Sequence, residues 1–317
     1  MPVNPHLMHS PSSERGWSHR IAVILACATF PLLFIGGLVT SKGAGLAVPD
    51  WPTTFGYNMF LYPWSKMVGN IFYEHSHRLV ASSVGLLTVA LALTLWFREQ
   101  RNWLRWLGIA ALALVIVQGV IGGLRVVLLE HTLAIIHAAF AQAFFALTVG
   151  LVVFTSAGWS HNLQSGALAD GARLRRLCAS TTAVIYLQSV FGAILRHTGE
   201  RLDAHLFFAA VVALHVAFIV SRITRWHAHQ LELARPAGLL GALLLAQLSL
   251  GFASYVGKFT SALRLTTGTV VLLTTSHLVI AALMLASSLV LTLYCYRLSS
   301  AAEISARPEL LKEPLSV

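Results

Sequence analysis

Eight apolar stretches, at residues 21–40, 78–97, 107–128, 132–155, 177–195, 204–222, 237–257 and 272–296, constrain this chain more than any motif does. Each approaches the ~20 residues that a helix needs to cross a ~30 Å hydrocarbon layer. In lipid only a helix or a closed barrel satisfies its own backbone, and the alternation of a barrel is absent. The expected fold is therefore all-α and integral to a membrane, with eight transmembrane helices. A composition of 56% hydrophobic and 11% charged residues, at mean hydropathy +0.73, excludes an ordinary soluble globular domain.

The net charge of +10 invites a nucleic-acid reading, but its distribution argues for topology instead. With the N-terminus in the cytoplasm, 14 of the 22 Lys and Arg fall on the inner side, as cytoplasmic loops favour. Both termini are then cytoplasmic, and the second span begins on the outer side. Residues 1–20 lead into a span too long for a signal-peptide core, so that span is expected to stay in the mature protein. Cys27, Cys178 and Cys295 lie in apolar stretches, which leaves metal chemistry to histidine.

Histidine is placed with a pattern. His77, His137, His205 and His277 open spans two, four, six and eight, all running outside to inside, so topology alone puts them at one depth. Imidazoles facing each other from different helices at one depth, with apolar walls, are what a bis-histidine heme requires. A lone histidine there is as readily an interfacial residue or a helix–helix hydrogen bond; four in equivalent places are harder to assign to chance.

Helical geometry separates these four from their neighbours. His131 precedes His137 by six positions, about 240° around the helix, so the two cannot serve one iron. His75 lies about 200° from His77, whereas Glu74 and His77 share a face. His215 lies about 15 Å deeper than His205, a fallback ligand or a polar core contact. His6, His9, His19, His161, His227 and His229 fall in tails or inner loops and receive no role. Arg78, Arg125 and Arg196, with His197, sit near outer span ends as candidate partners for heme propionates, against ordinary snorkelling. Glu74 adjoins a proposed ligand and suits proton transfer or stabilisation of a cationic species; the alternative is an i,i+4 ion pair with Arg78.

The chain also reads as a repeat of four spans. Gly36–Leu46 overlays Gly192–Leu202, aligning Gly43 with Gly199, and Gln118/Gly122, Gln188/Gly192 and Gln247/Gly251 each place glycine four residues after glutamine. The small residue permits close helix approach and the amide can bond across it. The expected organisation is a cytoplasmic tail at 1–20, a four-helix bundle at 21–158, a linker at 159–176, a second, pseudo-repeated four-helix bundle at 177–298 and a tail at 299–317. In it His77 pairs with His137, and His205 with His277. The outer loop at 41–74, rich in Gly, Pro and aromatics, is expected to be an ordered cap.

Several stretches resemble the heme A synthase family: Ile35–Thr40 running into Gly45-Leu46, Asp50-Trp51-Pro52, Glu74-x-x-His77-Arg78, Gln118–Gly123, His137, Leu195–Gly199 and His277. The resemblance covers nearly all eight spans. It implies conversion of heme O to heme A, by two hydroxylations of the C8 methyl and loss of water to a formyl group. Heme O would bind the first bundle through His77 and His137, with Glu74 as the catalytic carboxylate. Heme b would bind the second through His205 and His277 and transfer electrons. Partners implied are an electron acceptor of unknown identity, heme O synthase, cytochrome oxidase assembly factors, membrane lipid and a second copy of the chain, in a bacterial cytoplasmic membrane with the heme sites toward the outer face. The chain departs from the family twice: residues 41–72 lack the cysteine pair that some members carry, and Leu206 follows His205 where arginine is expected.

Overall fold

A computed structural model describes residues 11–160, 170–260 and 262–305. His6, His9 and His161, and the end of the C-terminal tail, lie outside the described residues. The eight spans are α1 (Pro11–Ser41), α2 (Asn70–Arg98), α3 (Asn102–Val127), α4 (His131–Thr155), α5 (Gly171–Thr198), α6 (Leu202–Trp226), α7 (Leu231–Phe259) and α8 (Thr267–Ser305). All eight are long and apolar enough to cross a membrane. Among the described residues extended pairing is confined to one isolated bridge, Thr54 with Tyr57.

Six of the eight helices run past the apolar stretches at both ends. α2 starts at Asn70, eight residues before residue 78, and α8 continues beyond 298 to Ser305. Glu74, His75 and His77 are thereby helical, because a polar side chain costs a helix little once it finds partners outside the hydrocarbon layer. Within the spans buried hydroxyls turn back on their own helix: Thr29, Thr88 and Thr155 each donate to the carbonyl four residues earlier.

The chain divides into two compact units, Met1–Leu133 with Leu147–Ser160, and Ala134–Ala146 with His161–Val317. In the first, α1 packs on α2 and α2 on α3. In the second, α5 packs on α6, α6 on α7, α7 on α8 and α8 on α5, closing a ring of four helices. Its core holds Leu174, Ile185, Val216, Ile219, Leu240 and Leu291, all buried. On the outside of the same helices Leu214, Phe218 and Phe252 are exposed, as lipid-facing positions should be.

The repeat seen in sequence has a structural counterpart. Gly43 (φ 63°) and Gly199 (φ 77°) each end the span before a histidine-bearing helix in the left-handed conformation glycine adopts without strain. After α1 the motif is complete: Gly43 N–H donates to Thr40 O (3.1 Å) and Ala44 N–H to Val39 O (2.8 Å), satisfying two carbonyls the helix leaves open.

Candidate functional site

In the first unit the loop between α1 and α2 is held down by the start of α2. Glu74, only 4% exposed, accepts Val48 N–H at Oε2 (2.9 Å) and pairs through Oε1 with Arg78 Nη2 (2.8 Å). Arg78 also donates to the carbonyls of Val48 (3.0 Å), Asp50 (2.8 Å) and Thr53 (3.1 Å). One i,i+4 ion pair thus ties three loop carbonyls and a loop amide to α2. Arg125 adds a bond from α3, Nη2 to Gly45 O (3.1 Å). Both arginines expected near propionates therefore meet the loop backbone in this structure.

His75 and His77 diverge as helical geometry requires. His75 is buried, with Nδ1 3.2 Å from Thr54 Oγ1 and its ring centre 5.1 Å from that of Tyr62, so it is part of the loop's seat. His77 lies against α1, where a Cβ on Gly36 would be 3.1 Å from Cε1. Beyond α2, the Trp51 ring fills the space above Gly123 of α3, where a Cβ would collide with it. The loop orders itself around Asp50, which accepts from Thr53 Oγ1 (2.5 Å), Phe55 N–H (2.7 Å) and Gly56 N–H (2.8 Å). Partial burial, the largest single influence, works to raise its pKa; those hydrogen bonds together outweigh it and hold the carboxyl at about 2. His137, half-buried, belongs to the second unit, and His131 is the exposed first residue of α4.

In the second unit His205 and His277 come together, with ring centres 6.2 Å apart and planes at 70°. A metal–imidazole bond of about 2 Å and about 1 Å from nitrogen to ring centre place two axial imidazoles about 6 Å apart, so the pair fits a heme iron. Two further observations support the fit. Each ring lies in a glycine notch: a Cβ at Gly192 would be 3.2 Å from His205 Cε1, and one at Gly251 2.9 Å from His277 Cε1. Each ring also meets the glutamine one turn earlier, Gln188 Nε2 3.2 Å from His205 Nδ1 and Gln247 Nε2 3.3 Å from His277 Nε2. The Oε1 atoms of both glutamines are buried without a protein partner, acceptors available to the pocket. His215, by contrast, turns Nδ1 to its own helix at Val211 O (2.9 Å). Arg196 Nη1 donates to Thr274 O (3.1 Å), one turn from His277, and His197 lies in the last turn of α5.

Sequence reasoning missed two features. His227, given no role, is 5% exposed and bonds Asp170 Oδ1 (2.9 Å), which also pairs with Arg222, joining the start of α5 to the end of α6. No sequence signal pointed to this pair, because Asp170 lies in the linker expected at 159–176 and becomes the residue before α5 only through the extension of that helix to Gly171. The glutamines were read as amides that bond across helix contacts, and Gln188 and Gln247 do so; what sequence did not show is that their partners are His205 and His277.

The family model of the cytochrome oxidase assembly proteins, COX15-CtaA, matches residues 19–206. The chain is 28% identical over 186 residues to the heme A synthase of Shouchella clausii, covering 58% of this chain and 60% of that protein. It is 27% identical over 188 residues to the heme A synthase of Exiguobacterium sibiricum, covering 57% and 61%, and 32% identical over 108 residues to that of Alkalihalophilus pseudofirmus, covering 33% and 35%. The matched stretch thus spans about three-fifths of the first two relatives' length; Glu74, His77, Arg78, His137 and His205 lie within the family match, and His277 lies beyond it. With more than half of its length matched, and with the expected histidines carried on eight membrane-spanning helices, the chain belongs to the COX15-CtaA family of cytochrome oxidase assembly proteins, the family of the heme A synthases.

Proposed function

We propose that this protein is a heme A synthase, a membrane oxidoreductase that converts the C8 methyl of heme O to a formyl group by two successive hydroxylations and loss of water. The observation that carries the reading is the start of α2. A buried carboxylate, Glu74, is fixed three residues before His77, inside the stretch that matches the family. In this reading His77 and His137 hold the substrate heme O, and Glu74 relays protons or stabilises positive charge developing at the methyl carbon. Arg78 keeps that carboxylate in place, and the loop it ties down excludes water from the outer end of the site.

Bound between His205 and His277, heme b would supply one-electron transfer. In this reading Arg196, anchored beside His277, and His197 meet its propionates, and Arg78 and Arg125, which bond the loop backbone here, would turn toward those of the substrate. Both termini face the cytoplasm of a bacterial inner membrane, and both heme sites lie toward its outer face, with electrons passing to an acceptor outside this chain. Heme O synthase and oxidase assembly factors are the expected neighbours.

One observation favours a second reading, a diheme electron-transfer cytochrome. Both Glu74 oxygens are engaged by Arg78 and Val48, as a purely structural carboxylate's would be. Heme chromatography of cells that make heme O but lack a converting enzyme separates the two. Heme A appearing with this chain, and lost in His77→Ala and Glu74→Gln, supports the synthase; unconverted heme O beside a folded, heme b-loaded protein supports the cytochrome.

A further inference from the structure

Gln188 and Gln247 each stand four residues before a glycine notch and each contact the histidine lying in it, but they do so differently. His277 is held twice by one residue: its Nδ1 bonds the main-chain carbonyl of Gln247 (3.2 Å), while the side-chain amide of Gln247 meets Nε2 (3.3 Å). A neutral imidazole that donates from Nδ1 keeps its lone pair on Nε2, the tautomer that can bind iron. The Gln247 amide donates to that same lone pair and so competes for it.

Gln188 sits on the opposite side of its histidine. Its Nε2 donates to His205 O (2.9 Å) and stands 3.2 Å from Nδ1, while its Oε1 is buried without a protein partner. Swinging the amide off His205 O, at the loss of that 2.9 Å bond, and turning it over lets Oε1 accept the Nδ1 proton, which gives His205 the iron-binding tautomer.

Resting on the heme b reading above, we infer that Gln188 is a positioning residue that fixes the tautomer and basicity of His205, and that Gln247 is a displaceable cap on His277. Outer-shell acceptors of this kind raise the basicity of a ligating imidazole and favour the ferric state, and losing one typically costs 10–100-fold in affinity. The two glutamines therefore have opposite effects on heme, although sequence presents them as equivalent. Loss of Gln188 weakens binding; loss of Gln247 leaves the main-chain bond to His277 Nδ1 intact and removes the competitor at Nε2.

The test uses full-length protein reconstituted with heme b in detergent, followed by optical redox titration, ferric EPR and the rate of heme transfer to an apo-globin acceptor. Gln188→Leu is expected to raise the midpoint potential and speed heme loss about 10–100-fold. Gln188→Glu, a stronger acceptor from Nδ1, is expected to lower the potential below that of the unmodified protein. Gln247→Leu is expected to bind heme b faster with little change in potential. Opposite shifts from Leu and Glu at one position are not produced by a packing defect. If potential and EPR stay unchanged in both Gln188 variants while heme remains bound, or if Gln247→Leu weakens binding as Gln188→Leu does, the inference fails. Should Leu and Glu at 188 not fold, Gln188→Asn, whose amide falls a methylene short, carries the comparison, and an unchanged potential there overturns it. An unmodified protein that takes up no bis-histidine heme b sinks the underlying heme reading instead, a result distinct from all of these.

Discussion

Gly251 and His277 are fitted so closely that a single methyl group would separate them: a Cβ on Gly251 would lie 2.9 Å from Cε1 of the imidazole. The same relation recurs between Gly192 and His205 (3.2 Å) and between Gly36 and His77 (3.1 Å), each time with glycine on an odd-numbered span and histidine on the next. Depth along the membrane sets the level of a histidine; the glycine notch sets how near its ring lies to the neighbouring helix.

Gly251→Ala should therefore displace the His277 ring, while Gly238→Ala on the same helix, where a Cβ would meet nothing within 4 Å, should not. Intrinsic helix propensity favours alanine over glycine by about 1 kcal/mol, so a loss at 251 alone cannot come from the helix itself. On the proposed heme b reading, heme b bound per protein, read from the reduced α-band, should fall in Gly251→Ala and hold in Gly238→Ala. Equal retention in both would remove the notch from the account.

Arg78→Ala removes four hydrogen bonds at once and leaves Glu74, 5% exposed at its side chain, without its cation. Breaking a buried pair from one side costs about 3 kcal/mol or more, and here the cost should fall on the outer loop. Limited proteolysis of the detergent-solubilised protein should cut residues 42–69 far faster in Arg78→Ala than in the unmodified protein. Arg78→Lys should rescue only in part, since an ammonium cannot present the planar fork that spans Val48, Asp50 and Thr53. Equal cleavage rates would mean that the loop is ordered by Asp50 and its aromatics alone.

Much of this was legible in the sequence because the membrane restricts the choices. Span length and hydropathy dictate helices, and alternate spans share a direction, so His205 and His277 fall at one depth without any knowledge of packing. The face arithmetic that separated His75 from His77 needs only the helical repeat. What sequence left open was the use to which a polar group is put. Glu74 and Arg78 read equally well as an active-site pair or an ion pair, and the structure adds loop carbonyls at Val48, Asp50 and Thr53 that no spacing encodes. His227 was passed over because its partner, Asp170, lies 57 residues away. His215 was a rival to His205 in sequence because depth alone does not show which ring meets His277; the structure adds the 6.2 Å approach of the His205 and His277 rings.

The Asp50 turn predicts a pH response at the outer surface. Its folded pKa, about 2, lies below the ordinary 3.8, so its contribution is complete above the ordinary value and is lost as pH falls through about 2. Hydrogen exchange of the Phe55 and Gly56 amides, which donate to this carboxylate, should accelerate across that window once corrected for intrinsic rates. In Asp50→Asn the amides should already be less protected at neutral pH and show no such step, because a neutral amide oxygen is the weaker acceptor. A step that persists in Asp50→Asn would assign the transition to another group.

The cysteines offer a check on packing in the second unit that is independent of heme. Cys178 on α5 and Cys295 on α8 are fully buried with sulfurs 3.4 Å apart, and one turn away Thr182 bonds Ser288 (2.8 Å) and Thr292 (2.9 Å). Cys27 on α1 is exposed on the helix surface. Reaction requires access to the sulfur, and burial in the core denies it. A small membrane-permeant maleimide should therefore reach Cys178 and Cys295 only on denaturation, with mass spectrometry assigning the sites. In Thr182→Val the hydroxyl bridge between α5 and α8 is lost and two buried hydroxyls lose a partner, at about 1–3 kcal/mol. Cys178 and Cys295 should then label together, since opening the α5–α8 contact exposes both. Labelling of one without the other would show that these helices do not meet through this pair.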